Sequence, residues 1–278
     1  MLSETFTVKK YLRDIPFPFC PGCGCFTVIN CFLKAVHALG YKDLSKFVFC
    51  SGIGCSAWIP SPHFLADSLH TTHGRSIAVA TGVKVMRPDL NVVVFGGDGD
   101  IVGIGLSHAV HAARRNLDIV VVMVNNMIYG MTGGQVAPTT PFNVKTTTTP
   151  YGNFERPLDA ARLLALAGAS YAARWTTVHM EELTEALKTA INTKGFAFVE
   201  VVSQCPTAYG RRAGFKDVKE MLQWFKNNSI TREEAEKMEE KDLANKIVVG
   251  EFVRRRMPTF TENLQEIMRE AVKNAGKN

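Results

Sequence analysis

The chain has 278 residues, of which 46% are apolar and 21% charged, and a formal net charge of +6. That content excludes wholesale disorder and predicts a folded core. The modest positive charge favours anionic partners such as phosphates or carboxylates, but no basic helix or aromatic–basic patch supplies a nucleic-acid footprint. The opening MLSETFTVKKYLRD lacks the apolar core of a signal peptide, and no apolar run reaches the roughly 18 residues of a membrane span, so a cytoplasmic protein is expected. In a reducing compartment its seven cysteines are expected to bind metal or to pack as apolar thiols.

In chain order, FCPGCGCF at 19–26 leads into a helical pattern over 24–39. The run FVFCSG predicts a strand near Phe47 that ends in GIGCS. A helix is expected over 76–86, then a strand NVVVFGGDGD near Val92 and a helix over 103–115. DIVVVMVNN predicts a strand near Val120, and FAFVEVVSQ another near Phe196, with helices over 158–167 and 180–193 between them. These strands are continuously apolar rather than alternating, the pattern of parallel strands buried on both faces. Strand–helix alternation therefore predicts a doubly wound, mostly parallel α/β sheet. In such sheets ligands sit beyond the carboxyl ends of the strands. GIGCS, GDGD, NNMIYGMTGGQ and QCP all fall at such ends.

From about Arg211 charges become frequent, as in TREEAEKMEEKD, and glycine becomes scarce. Residues 1–212 are expected to form the α/β domain and 213–278 a charged helical tail that contacts a partner. The run Arg254, Arg255 and Arg256 reads as a solvated or interface charge cluster.

GGDGD follows a buried strand and opens a helix. Glycines let backbone approach an anion closely, and a helix N-terminus offers free N–H groups. Asp98 and Asp100 would repel a bare phosphate, so a hard divalent cation between carboxylate and diphosphate is expected. The next strand ends in Asn125 and Asn126, whose amide oxygens suit Mg²⁺. GDG at 97–99 followed by NN at 125–126 resembles the fingerprint of thiamine diphosphate enzymes. That resemblance implies that Asp98, Asn126 and the carbonyl of Ile128 hold Mg²⁺, with Gly97 and Gly99 in the same turn. A nicotinamide dinucleotide would call for GxGxxG and an acidic residue about 20 positions on, which GDGDIVGIG fits poorly.

Cys20 and Cys23 form a CxxC pair on a Pro-Gly turn. This suits an iron–sulfur cluster or zinc, and either needs two more thiolates. Cys55 in GIGCS and Cys205 before Pro206 lie on the same sheet edge as GDGD. Cys31 and Cys50 read as core residues. Cys25 begins a helix and is expected to point away from the loop that uses Cys20 and Cys23. Zinc cannot accept the two electrons of an oxidative decarboxylation, whereas a redox cluster beside the cofactor can.

With CPGCG, GIGCS and its following WIPSP, THGR, ATGVK, GDGD, HAARRN, NNMIYGMTGGQVAPTTP and CPTAYGRR together, the chain resembles the β subunit of 2-oxoacid:ferredoxin oxidoreductases over nearly its whole length. The resemblance implies a 4Fe–4S cluster on Cys20, Cys23, Cys55 and Cys205, and thiamine diphosphate lined by Gly54, Cys55 and His73. Main-chain N–H groups of Gly99 and Asp100 would hold its diphosphate, and the loop from Thr132 to Gln135 would cover the thiazolium side. It also implies coenzyme A-dependent oxidative decarboxylation of a 2-oxoacid, with electrons leaving to ferredoxin. The glutamate that activates the cofactor has no evident source here, because Glu155, Glu181 and Glu182 sit in loop or helix-surface contexts. A separate α subunit is expected to supply it. YGMTGGQ with APTTP resembles the branches acting on 2-oxoglutarate, with branched-chain enzymes close by; pyruvate-accepting members often carry Lys where Gly133 stands. Two other possibilities are a non-oxidative decarboxylase or carboligase with structural zinc, and an idle scaffold that only relays electrons.

Overall fold

The computed structural model describes residues 6–243 and 245–275. Its strands are β1 (Phe47–Ser51), β2 (Asp67–His70), β3 (Asn91–Gly97), β4 (Val120–Asn125), β5 (Tyr171–Thr176), β6 (Ala197–Val202), β7 (Ser229–Thr231) and β8 (Ile247–Arg254). They form one sheet in the order β2-β1-β3-β4-β6-β5-β8-β7. Neighbours from β2 across to β5 run parallel, whereas β8 is antiparallel to β5.

The apolar runs are continuous because both faces of the sheet are covered. Helices α1 (Cys25–Ala38), α2 (Ser76–Met86), α3 (Leu106–Arg114), α4 (Ala160–Ala167) and α5 (Met180–Asn192) alternate with the strands. Val93 and Phe95 turn to the α1 and α5 side and pack with Phe32 and Leu187. Val92 and Val94 turn to the other side and pack with Ile77 and Ala112. Successive residues of one strand thus feed two cores. Each fully buried large apolar side chain contributes about 1.5–3 kcal/mol.

Three features depart from the sequence pattern. The strand β5, YAARWT, carries Arg174 in its middle, which masks it as a strand; that arginine is buried against Glu200 and Asp159. Helix α3 begins at Leu106, not at Gly103. Residues Gly99–Ile104 instead form a widened turn, closed where Gly105 N–H donates to the Asp100 carbonyl at 2.9 Å. Finally, the region after 212 holds helices Val218–Asn228 and Phe260–Ala275 but also adds β7 and β8 to the sheet. The strand β7 is three residues long and ends where the charged stretch begins, and β8 follows that stretch and is interrupted by Gly250, so their apolar alternation is short. Arg255 is not free in solvent: it donates to the carbonyls of Ala169 and Ala165 at 3.0 and 3.2 Å.

At the amino ends of the strands, buried Lys84 donates to the carbonyls of Pro88 and Leu90 and pairs with Asp118 at 2.9 Å. This ties the end of α2 to the entries of β3 and β4. Among the described residues no helix is long and apolar enough to cross a membrane.

Candidate active site

Because β1, β3, β4 and β6 are parallel, their carboxyl ends share one edge, and the loops that follow them line one cleft. Every site residue singled out from the sequence lies on the wall of that cleft. The sheet supplies one set through Gly54 and Cys55, Gly97 to Asp100, Asn126, Ile128 and Thr132, and Cys205; His73 comes from the turn before α2, and Cys20 and Cys23 come from the N-terminal loop.

The N-terminal loop reaches the sheet through Gly24. Its N–H donates to the Gln204 carbonyl at 3.1 Å, and a Cβ on Gly24 would overlap Ser203 Oγ. This close approach brings the CPGC turn, closed by Cys23 N–H to the Cys20 carbonyl at 3.0 Å, beside Cys205. Cys20 is exposed, and Cys23, Cys55 and Cys205 are half-buried. Burial pushes the Cys55 thiol up to about 11, and the charges of Cys205, Cys23 and Cys20 add to the rise. The four thiols therefore feel one another. Cys205 N-caps a second widened turn, Pro206–Gly210, in which Gly210 N–H donates to the Cys205 carbonyl at 2.9 Å. Widened turns of this kind recur at functional sites; here one follows Asp98 and the other follows Cys205.

Cys25 departs from expectation. It is buried, lines the same cleft, and hydrogen-bonds to Cys23 instead of pointing away. That bond draws the Cys23 thiol down to about 7 against the effect of burial. The sequence hides this because Cys25 opens α1 from a glycine-hinged loop, and the loop folds back over the first turn of the helix.

On the other side of the cleft Asp98 is 2% exposed. Burial raises its carboxyl from the ordinary 3.8 to about 7, while hydrogen bonds from the Thr139 hydroxyl and Gly99 N–H oppose the rise. The Asn126 side-chain oxygen takes a long bond from Ile128 N–H at 3.3 Å. It otherwise faces acceptors: Asp98 Oδ1 at 3.2 Å and the Ile128 carbonyl at 2.6 Å. Three oxygens turned on one point repel unless the amide turns over or a cation joins them.

The Asp100 side chain has a part of its own, separate from the main-chain N–H expected to face the diphosphate. Its Oδ1 accepts from Gly74 N–H at 2.7 Å and Ile53 N–H at 3.2 Å, and lies 2.6 Å from His73 Nδ1. The carboxylate thus fastens the GIGCS loop and the THGR turn to the diphosphate turn. Gly52 is required, since a Cβ there would overlap this carboxylate.

Two residues missed in the sequence complete the turn. Thr139 bonds Asp98, and Tyr129 donates its hydroxyl to the Gly99 carbonyl at 3.2 Å. The Tyr129 ring lies so close over Gly99 that a Cβ there would overlap it. The GxG spacing was the available signal for a bulky neighbour. Thr132 is exposed at the lip, in a loop held by Tyr129 N–H to the Gln135 carbonyl and by Arg212 Nη2 to the Gly133 carbonyl at 2.9 Å. Among the described residues no three His, Cys, Asp or Glu side chains converge tightly enough for a single metal ion. Glu155, Glu181 and Glu182 are exposed and stand outside the cleft wall.

Residues 52–201 match the C-terminal thiamine pyrophosphate-binding domain of thiamine pyrophosphate enzymes. The chain is 51% identical to the 2-oxoglutarate synthase subunit KorB of Methanocaldococcus jannaschii, covering 93% of this chain and 96% of that one. It is 42% identical to the 2-oxoacid:ferredoxin oxidoreductase subunit beta of Saccharolobus solfataricus over 68% of this chain and 62% of that protein. Its fold matches the 2-oxoglutarate:ferredoxin oxidoreductase from Magnetococcus marinus, solved with 2-oxoglutarate, coenzyme A and succinyl-CoA bound, with a TM-score of 0.84 and 35% identity over 96% of this chain and 91% of that one. The chain belongs to the family of 2-oxoacid:ferredoxin oxidoreductase β subunits, built on the thiamine pyrophosphate-binding domain.

Proposed function

We propose that this chain is the β subunit of a 2-oxoglutarate:ferredoxin oxidoreductase, which converts 2-oxoglutarate and coenzyme A to succinyl-CoA and CO₂ and passes the electrons to ferredoxin. One observation carries the proposal: a single cleft brings the Asp98 carboxyl, the Asn126 amide and the Ile128 carbonyl together with four thiols at Cys20, Cys23, Cys55 and Cys205. The names of the similar chains support 2-oxoglutarate as the substrate, as does Gly133, which leaves open space where pyruvate-accepting members often carry Lys.

The residues fit the groups. Asp98 Oδ1, Asn126 Oδ1 and the Ile128 carbonyl would hold Mg²⁺; the Asn126 amide, whose nitrogen can donate to both neighbours without the cation, would turn its oxygen to it. Backbone N–H groups at the start of the widened turn, from Gly99 and Asp100, would hold the diphosphate. His73, fixed by Asp100, would face the cofactor. Thiamine diphosphate, when bound, supplies a thiazolium that accepts the electron pair left by decarboxylation. Four thiols in one cleft with the diphosphate turn suit a 4Fe–4S cluster, which can take up the electrons of an oxidative decarboxylation as zinc cannot. The cleft wall carries no glutamate among the described residues, so an α subunit would provide the one that activates the cofactor. Half-exposed cluster ligands suit a reducing cytoplasm.

The test is metal content. The chain, co-produced anaerobically with its α partner, would be assayed for iron, sulfide and zinc. Iron and sulfide in equal amounts, lost in Cys205→Ser and kept in Cys31→Ser, supports the assignment; zinc without sulfide refutes it.

A further inference from the structure

Glu200 stands in the middle of β6, 1% exposed, in an otherwise apolar layer. A carboxylate there is costly unless several donors meet it. Its Oε2 accepts from Arg174 Nε at 2.8 Å and from Ala161 N–H, at the start of α4, at 3.2 Å. Its Oε1 accepts from Asn125 Nδ2 at 2.8 Å. Arg174 in turn reaches Asp159 and the Val248 carbonyl. Glu200 therefore gathers α4, β5, β6 and β8 onto the last residue of β4.

Asn125 is the neighbour of Asn126, and its amide has one orientation only. With Nδ2 held by Glu200, Oδ1 must point along the chain, where it accepts from Met127 N–H at 3.0 Å. Met127 sits at φ 62, a left-handed conformation that a non-glycine residue adopts only when its surroundings impose it. The Thr140 hydroxyl holds the same residue from the other side, donating to the Met127 carbonyl at 2.7 Å. This kink brings the Ile128 carbonyl to 2.6 Å from the Asn126 side-chain amide. If the Asn125 amide turned over, an NH₂ would face the Met127 N–H, donor against donor, and the kink would open.

We infer that Glu200 is a positioning residue for the cation site, acting through the Asn125 amide on the turn that presents Asn126 and the Ile128 carbonyl. The inference rests on the assignment of that site above. It goes beyond it by naming a residue that touches neither cation nor cofactor.

The experiment uses the complete complex with its α subunit, stripped with a chelator and titrated with Mn²⁺ as a paramagnetic probe, in the presence of thiamine diphosphate. Glu200→Gln cannot satisfy Arg174 and Asn125 together, because its NH₂ meets one of two donors. Its Mn²⁺ affinity should fall about 10–100-fold, as outer partners of metal ligands do, with activity recovered at saturating Mn²⁺. Asn125→Ala, which leaves the Glu200–Arg174 pair intact, should show a similar loss and covers the case in which Glu200→Gln does not fold. Lys84→Met, at the other end of the sheet, should lower the melting temperature without moving the affinity. Wild-type Mn²⁺ affinity in Glu200→Gln and Asn125→Ala overturns the inference, and so does an equal loss in Lys84→Met. Asp98→Asn separates the two levels: if it binds Mn²⁺ normally, the cation-site assignment itself fails.

Discussion

The Thr139 hydroxyl donates to Asp98 inside a pocket that leaves the carboxyl 2% exposed. Burial outweighs the hydrogen bonds from the Thr139 hydroxyl and from backbone N–H groups, and the carboxyl rises to about 7. The cofactor-free protein thus carries a group whose charged form suits a cation and disfavours the fold. An acid raised from 3.8 in the unfolded chain costs nothing at pH values below that. The cost grows as pH climbs from about 4 to 7 and is constant above, reaching about 4 kcal/mol at most. Asp98→Asn should therefore raise the melting temperature of cofactor-free protein at pH 8 and leave it unchanged near pH 4. Thermal scans at the two pH values check this; an equal effect at both would show that the charge is not the cause.

Tyr129 and Gly99 are fitted to each other. Gly99→Ala should force the ring aside and cost about 1–3 kcal/mol, as overpacking does, with a marked loss of thiamine diphosphate affinity. Tyr129→Ala in the same chain should restore part of both. Calorimetric titration of the cofactor into the single and double variants measures the coupling. Simple addition of the two losses would argue against direct contact.

Gly24 has a φ of −68, which alanine adopts freely, so any effect of Gly24→Ala is steric. The added methyl would push the CPGC turn off Ser203. Iron and sulfide content should fall to a small fraction of wild type while thiamine diphosphate binding persists. Full cluster content in Gly24→Ala would mean that the loop has another way to reach Cys205.

The parts that were legible in the sequence are local. GDGD and NN each end a parallel strand, and parallel strands bring their ends to one edge, so the cleft follows from order along the chain. Cys55 and Cys205 were legible for the same reason. What stayed hidden is tertiary. Thr139 lies in an irregular loop, where a threonine looks like any turn residue. Cys25 could be placed only by the fold-back of its loop. Arg174 and Glu200 look like surface charges in short strands, and only their pairing across β5 and β6 accounts for both. Strand β8 was obscured by the charges before it, although its partner β5 needs a cover on that edge.

Lys84→Met removes the cation from a buried pair, frees the Pro88 and Leu90 carbonyls, and leaves Asp118 with Gly195 N–H and the exposed Lys194 at 3.8 Å. It should cost about 3–5 kcal/mol, seen as a lower denaturant midpoint, with cofactor affinity unchanged. The site and this staple lie at opposite ends of the strands, so a change in affinity would reveal coupling through the sheet.

The central claim is tested most directly by substrate-dependent electron release. The complex of this chain with its α subunit, prepared anaerobically, would be given coenzyme A, a viologen dye and, in turn, 2-oxoglutarate, pyruvate and 3-methyl-2-oxobutanoate. The predicted result is coenzyme A-dependent dye reduction, with the highest kcat/KM on 2-oxoglutarate and none in Asp98→Asn. Faster turnover of pyruvate or the branched substrate would contradict the substrate assignment, and CO₂ release without dye reduction would contradict the oxidoreductase itself.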